Sequence, residues 1–350
     1  MSRVPANEDT KTPWGDLKMS FRTPYLMFLG DAVDMLAAKT AIGVKDWRPD
    51  WCAGQLRLEG CNADLGIPDM SVAEAKAAGC GTMIVGIANR GGLIGDHWTA
   101  VIVEALDAGM DIASGLHNKL EDVAAIAEAA QRNGRTLTNV RHPTRSFPIA
   151  DGRRRPGKRL LGVGTDVSVG KMYTALAIEK EMKARGMNAD FRATGQTGIF
   201  IAGDGVSVDA VVSDFVSGAS EWLSPDNDAD HWDIIEGQGS LFHTSYAGVT
   251  LGLIHGSQPD ALVVCHDVGR ASMRGLIERT PPPLEDVIEA ATWAARVVNP
   301  DARVVGAALN TKSLNDAAAE KAIAETAQRL GLPACDPVRT GVAAIVDALA

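Results

Sequence analysis

The run Gly164-Thr165-Asp166-Val167-Ser168-Val169-Gly170-Lys171 constrains the fold of this chain more than any other stretch. It follows the apolar segment from Lys158 to Gly164 and opens a helical pattern, Lys171–Arg185, closed by Gly186. A strand that turns through glycines into a helix aims backbone N–H groups at one point. The helix N-terminus adds partial positive charge there, and Lys171 adds an ammonium. Such a turn holds phosphate groups, and it sits at the carboxyl ends of the strands of a parallel sheet covered by helices. The apolar runs Trp232–Ile235, Ala261–Cys265 and Val304–Leu309 each end in a polar or glycine-rich loop and supply further strands, and three prolines at 281–283 lead into a helix predicted over Leu284–Val298.

The first 150 residues alternate short apolar runs with helical stretches. Strands are expected at Tyr25–Leu29, Thr82–Ile87, Asp111–Ala113 and Thr136–Val140, and helices at Ser71–Ala78, where Ser71 and Glu74 have capping-box spacing, and at His97–Ala108. The pattern predicts an α/β chain with an N-terminal Rossmann-like parallel-sheet domain over residues 1–150 and a phosphate-loop α/β domain over residues 151–350. No GxGxxG follows the first strand, so dinucleotide binding of the usual kind is not expected. The junction, His142 to Gly157, carries three prolines and Arg153-Arg154-Arg155; it reads as a solvated linker, the other reading being contact of the arginines with a ligand phosphate.

A chain of 350 residues that is 46% hydrophobic can bury two ordinary cores. No apolar run approaches the roughly 18 residues that span a bilayer, and the N-terminus is polar where a signal peptide would be basic and then apolar, so a soluble, cytoplasmic protein without membrane contact is expected. Five cysteines without a CxxC pair suggest neither a disulfide framework nor a zinc knuckle. A net charge of −10 argues against a nucleic-acid partner. An anionic small ligand would therefore need positive charge concentrated beside the glycine-rich turns.

The spacing GT-x4-GK resembles the dethiobiotin synthetase branch of P-loop proteins. In that branch a later strand ends in Glu-Gly, here Glu236-Gly237, and base-contacting loops follow two further strands, here at Asn310-Thr311 and Pro337-Val338-Arg339. Position 172 is methionine where ATP- and GTP-using loops place a Ser or Thr hydroxyl on Mg²⁺, and a thioether is a poor ligand for so hard a cation. Thr174 lies on another face of the helix. The residues from Gly164 to Met172 (Gly164, Thr165, Asp166, Val167, Ser168, Val169, Gly170, Lys171, Met172), with Asn310 and Arg339, are thus expected to hold a diphosphate without a metal, and coenzyme A fits that description.

Over residues from about 25 to the C-terminus the chain resembles the DgcN family. The matching stretches are Gly86-Ile-Ala-Asn-Arg-Gly-Gly92, Ser114-Gly-Leu-His117, Gly162–Lys171, Thr194-Gly-Gln-Thr-Gly198, Glu236-Gly-Gln-Gly-Ser240 and Leu251-Gly-Leu-Ile-His-Gly-Ser257. The resemblance implies a D-glutamate N-acetyltransferase that uses acetyl-CoA and acts in D-glutamate catabolism upstream of an enolase-superfamily enzyme; the metal-poor loop is compatible with it, and no metal is expected to be required.

Acetyl transfer to an amine needs a base, donors for the developing oxyanion and an acid for the thiolate. Glu236 and His243, on either side of a Gly-Gln-Gly turn, and His266, placed just past a strand end, are the catalytic candidates. Arg192 and Arg270 offer forked donors to an acidic amino acid. Arg90, His117 and Gln196 mark glycine-bearing loops that would close the site. A homo-oligomer is expected. The alternative function is an ATP-dependent ligase or kinase in which Asp166 or Glu236 holds Mg²⁺; a nucleotide-sensing module without catalysis is a third reading.

Overall fold

The structure, a computed structural model, describes residues 21–87 and 92–349. The N-terminal half contains β1 (Tyr25–Gly30), α1 (Lys39–Trp47), β2 (Cys52–Arg57), α2 (Val72–Ala77), β3 (Thr82–Val85), α3 (Asp96–Asp107), β4 (Asp111–Ser114), α4 (Ala124–Asn133) and β5 (Leu137–Asn139). All five strands run parallel in the order β2-β1-β3-β4-β5. Every residue of β1 is buried because this interior strand is covered on both faces. The Ser71–Glu74 spacing forms a capping box, with the Glu74 amide donating to Ser71 Oγ and the Ser71 amide to Glu74 Oε2.

The second half contains β6 (Lys158–Gly164), α5 (Lys171–Ala184), β7 (Ala189–Arg192), α6 (Gln196–Ala202), α7 (Val216–Leu223), β8 (Trp232–Ile235), α8 (Ala247–Ser257), β9 (Ala261–Asp267), α9 (Leu284–Arg296), β10 (Arg303–Asn310), α10 (Asp316–Leu330), β11 (Ala334–Cys335) and α11 (Ala343–Asp347). Its six strands are also parallel, ordered β11-β10-β9-β6-β8-β7. The turn after β6 therefore emerges at the middle of the carboxyl edge, with β9 and β8 on either side.

One core joins the halves. Tyr25, Met27 and Leu29 of β1 share a buried cluster with Leu176 and Met182 of α5 and with Phe200 of α6. Helices α2, α3 and α4 cover the other face of the first sheet, and α7, α8 and α9 the outer face of the second. Helix α1 lies between the domains: Gly43 meets Met172 and Thr197, and Thr197 donates to Thr40 Oγ1 at 3.3 Å. No helix among the described residues is long and apolar enough to cross a membrane.

Three features differ from expectation. Strands β2, β7 and β11 carry no clean alternation, β2 because Gly54 and Gln55 interrupt it and β11 because it is two residues long. Strand β9 runs on to Asp267, so His266 lies within it. The arginine run is solvated at Arg153 and Arg154, which pair with Asp226 and Asp260 on the surface, but not at Arg155, which is buried and donates to the carbonyls of Ser224 and Gly256. These contacts strap the junction to the amino edge of the second sheet.

Candidate active site

Gly170 caps α5 with φ +104° and Ser168 has φ +54°, so the turn passes twice through the left-handed region that only a held loop sustains. The holding group is Asp166. Its carboxylate accepts the Val167 amide at 2.7 Å, the Arg270 guanidinium at 2.7 Å and the Arg274 amide at 2.8 Å. Burial would raise the Asp166 carboxyl, and the Arg270 bond with these amides outweighs it, keeping the group charged. Arg270 also donates to the carbonyls of Val167 and Ser168.

Lys171 Nζ donates to the Asp166 carbonyl at 2.8 Å, and burial lowers the ammonium to about 8. A buried ammonium whose acceptor is a neutral carbonyl is poised for a phosphate, which gives a stronger charge-assisted bond. Thr174 donates to the Gly170 carbonyl inside its own helix, and Met172 packs into the core between the domains.

Glu236 follows β8 directly and is buried. The amides of Thr194 and Gly195 donate to its Oε2 at 2.9 and 3.0 Å, and the Thr194 hydroxyl donates to its backbone carbonyl at 2.6 Å. Desolvation pushes its carboxyl up to about 7, against the two amide bonds, Gln238 and the nearby Lys171. A carboxyl raised to about 7, at the end of the strand paired with the one that opens the phosphate loop, is suited to general-base work.

The other candidates fall into different places. His243 is buried, its Nε2 lies 3.0 Å from the Arg274 carbonyl and its Nδ1 accepts the Ser245 amide at 3.2 Å. Both ring nitrogens are committed to backbone, which makes it a brace for the 240–246 turn instead of the expected base. His266 Nδ1 contacts Thr165 Oγ1 at 3.0 Å, and burial lowers the ring's pKa, so it supports the phosphate loop from β9. Arg192, the last residue of β7, turns its Nε back onto buried Asp233, the second residue of β8, at 2.6 Å. Arg270 is spent on the loop, not free for a substrate. Asn310 ends β10, and Arg339 is bound to Thr311, Asp316 and the Leu314 carbonyl, so both stay at the loops flanking the site. Gln196 and His117 do approach from opposite domains: Gln196 Oε1 lies against Gly115, where a Cβ would stand 1.8 Å from it, and His117 is two residues further on. Arg90 lies outside the described residues.

Sequence reasoning missed Lys39, Arg141 and Arg274. Lys39 begins α1; Arg141 donates to the Gly115 carbonyl and pairs with Asp209; Arg274 donates to Ser168 Oγ at 2.9 Å. Lys39 and Arg141 adjoin no glycine, and Arg274 beside Gly275 lies far in sequence from the loop it touches.

Two family models match the chain: a Rossmann-like domain of unknown function, DUF1611_N, over residues 56–143, and the DUF1611_C P-loop domain over residues 148–346. A D-glutamate N-acetyltransferase of Tritonibacter scottomollicae is 57% identical over 94% of this chain and 98% of its own length. Another D-glutamate N-acetyltransferase, of a Pseudoalteromonas species, is 48% identical over 94% and 99%. The crystal structure of a DUF1611 family protein from Anabaena variabilis, 33% identical, covers 93% of this chain and 98% of that one with a TM-score of 0.82.

Proposed function

The chain belongs to the DUF1611 family, and from that membership together with the geometry around Glu236 we propose that it moves the acetyl group of acetyl-CoA to the amino group of D-glutamate. Two relatives that align over nearly their whole length are named D-glutamate N-acetyltransferase, and the acetyl-CoA donor is the part of the reading that the phosphate loop supports. The observation that carries the reading is the placement of Glu236, a buried carboxyl raised to about 7, beside a phosphate loop whose lysine is turned onto its own backbone.

The loop amides and Lys171 would take the diphosphate of acetyl-CoA, and the loops at Asn310 and Arg339 its base. Asp166, with both oxygens engaged by Val167, Arg270 and Arg274, would have to break these bonds to ligate Mg²⁺, and Met172 offers no hydroxyl. This argues for acyl transfer without a metal and against ATP-dependent ligation. Glu236 accepts a proton from the substrate ammonium; the free amine nitrogen then bonds to the thioester carbonyl carbon as the C–S bond breaks, and the second proton lost by nitrogen passes to the departing thiolate. The products are the N-acetyl amino acid, a free thiol and one proton held on Glu236. The same reading keeps a cytoplasmic homo-oligomer acting in D-glutamate catabolism.

The test is a thiol-release assay with acetyl-CoA and D-glutamate in EDTA, with the product weighed by mass spectrometry. N-acetylglutamate with stoichiometric thiol is expected. Turnover that requires ATP and Mg²⁺, or no acetylation of any amino acid, would contradict the proposal.

A further inference from the structure

Acyl transfer needs donors for the thioester oxygen as it becomes an oxyanion, and the turn Gly237-Gln238-Gly239 follows Glu236 directly. Two hydroxyls grip this turn. Thr194, after β7, donates to the Glu236 carbonyl at 2.6 Å, and Thr250 of α8 donates to the Gln238 carbonyl at 2.8 Å. In a planar trans peptide the C=O and N–H point in opposite directions. The Gly237 N–H is therefore turned away from β7, toward β6, and the Gly239 N–H away from α8. Neither amide, nor that of Gln238 between them, has an acceptor among the described residues, although Gly237 and Gly239 are buried. Buried N–H groups without a partner are rare, and consecutive ones in a turn make an anion-binding concavity. Close contacts join the turn to the rest of the site. A Cβ on Gly237 would stand 1.7 Å from the Gly162 carbonyl oxygen and 3.0 Å from Lys171 Cδ, so only glycine lets the chain pass beside the phosphate-loop lysine. Gly239 has φ +68°, and a Cβ there would stand 2.5 Å from the Tyr246 carbonyl oxygen. The Gln238 side chain folds back toward Thr194, and its Nε2 and Glu236 Oε1 lie 2.6 and 3.2 Å from the place of the missing Gly195 Cβ.

We propose that the backbone amides of Gly237, Gln238 and Gly239 are the oxyanion hole for the thioester, with Thr250 a positioning residue that acts through the Gln238 carbonyl. The proposal rests on the acetyltransferase reading for the identity of the acyl donor. As the amine nitrogen bonds to the carbonyl carbon, the π pair of the C=O moves onto oxygen, where the turn's N–H groups hold it. That pair returns as the C–S bond breaks, and the thiolate leaves with the second proton lost by nitrogen. One segment would thus present base and oxyanion donors in consecutive residues, Glu236 taking the ammonium proton and the peptides after it the oxygen.

Bound acetyl-CoA reports on the hole before any amine is added. Difference infrared spectra of acetyl-CoA isotope-labelled at the thioester carbonyl should place that stretch at lower frequency on wild type than in water, and return it near the solution value on Thr250→Val. In the thiol-release assay Thr250→Val should lower kcat by at least about tenfold, short of the roughly 10²–10³-fold for losing a donor outright. Acetyl-CoA affinity and the pH limb of Glu236 should stay in place, and Thr250→Ser should keep most of kcat and the lowered stretch. A wild-type stretch no lower than in water would overturn the oxyanion hole, as would a folded Thr250→Val that keeps either the wild-type stretch or the wild-type kcat. Should Thr250→Val not fold, the wild-type spectrum alone decides. If acetyl-CoA binds with a lowered stretch yet no amino acid releases thiol, the acetyltransferase reading fails and the polarising turn stands.

Discussion

The two edges of the six-stranded sheet treat positive charge in opposite ways. At the amino edge Arg159 is fully buried and donates to the carbonyls of Arg155, Pro156, Gly157 and Pro225, while Arg192 meets Asp233, which also binds Asn227 and lies 3.3 Å from His231. At the carboxyl edge Lys171 has a neutral carbonyl and Arg274 a hydroxyl. A buried charge is tolerated only when paired and hydrogen-bonded, so the amino edge fastens the fold. The carboxyl edge pairs Arg270 with Asp166 and Asp267 but leaves the buried Lys171 on a neutral carbonyl, and on the proposed reading that ammonium is the one a ligand phosphate would take. Four measurements can break or sharpen this contrast.

The largest effect is expected at Glu236. Glu236→Gln should lower kcat by about 10²–10⁴ with little change in acetyl-CoA affinity, the range for losing a general base. Because burial raises its carboxyl to about 7, wild-type kcat should climb as pH rises toward 7 and level off above it, and Glu236→Gln should lose that limb. Stability carries the opposite sign. Between the ordinary carboxyl range and about 7 the native state holds a proton that the unfolded chain has released, so stability should fall with rising pH across that window, and Glu236→Gln should flatten the fall. As the contrasting arm, His243→Ala should keep kcat within tenfold while losing roughly 1–3 kcal/mol of stability, the cost of unsatisfied buried backbone partners. A kcat loss in His243→Ala matching that of Glu236→Gln would reassign the base.

At the amino edge, Arg192→Ala leaves Asp233 buried without its cation and should cost about 3–5 kcal/mol in denaturant unfolding. Acetyl-CoA affinity of the folded fraction should not move. A variant as stable as wild type but with weaker D-glutamate binding would return Arg192 to the active site.

The same contrast explains what the sequence disclosed. The phosphate loop was legible because its chemistry is local: eight consecutive residues between an apolar run and a helical pattern leave few conformations. The position of Glu236, directly after a strand and before glycines, was legible for the same reason. Arg192 and Arg270 were misread because an arginine near a glycine looks alike whether it faces a ligand or a carboxylate, and Asp233 and Asp166 lie 41 and 104 residues away. His243 looked reactive beside glycines, but the Arg274 carbonyl that occupies it is 31 residues away. Strand β2 escaped because an edge strand with glycine in it lacks periodicity.

The central claim is that the turn from Gly164 to Lys171 holds the diphosphate of the acetyl donor, with Lys171 as its charge. Calorimetric titration of acetyl-CoA in EDTA, on wild type and Lys171→Ala, tests it directly. The loss of one charge-assisted hydrogen bond should raise Kd roughly 10- to 100-fold, about 1.5–3 kcal/mol, while the thermal transition of the ligand-free protein stays in place or rises as a buried ammonium is removed. Equal affinity in the two proteins, or acetyl-CoA binding that appears only with added Mg²⁺, would contradict the account.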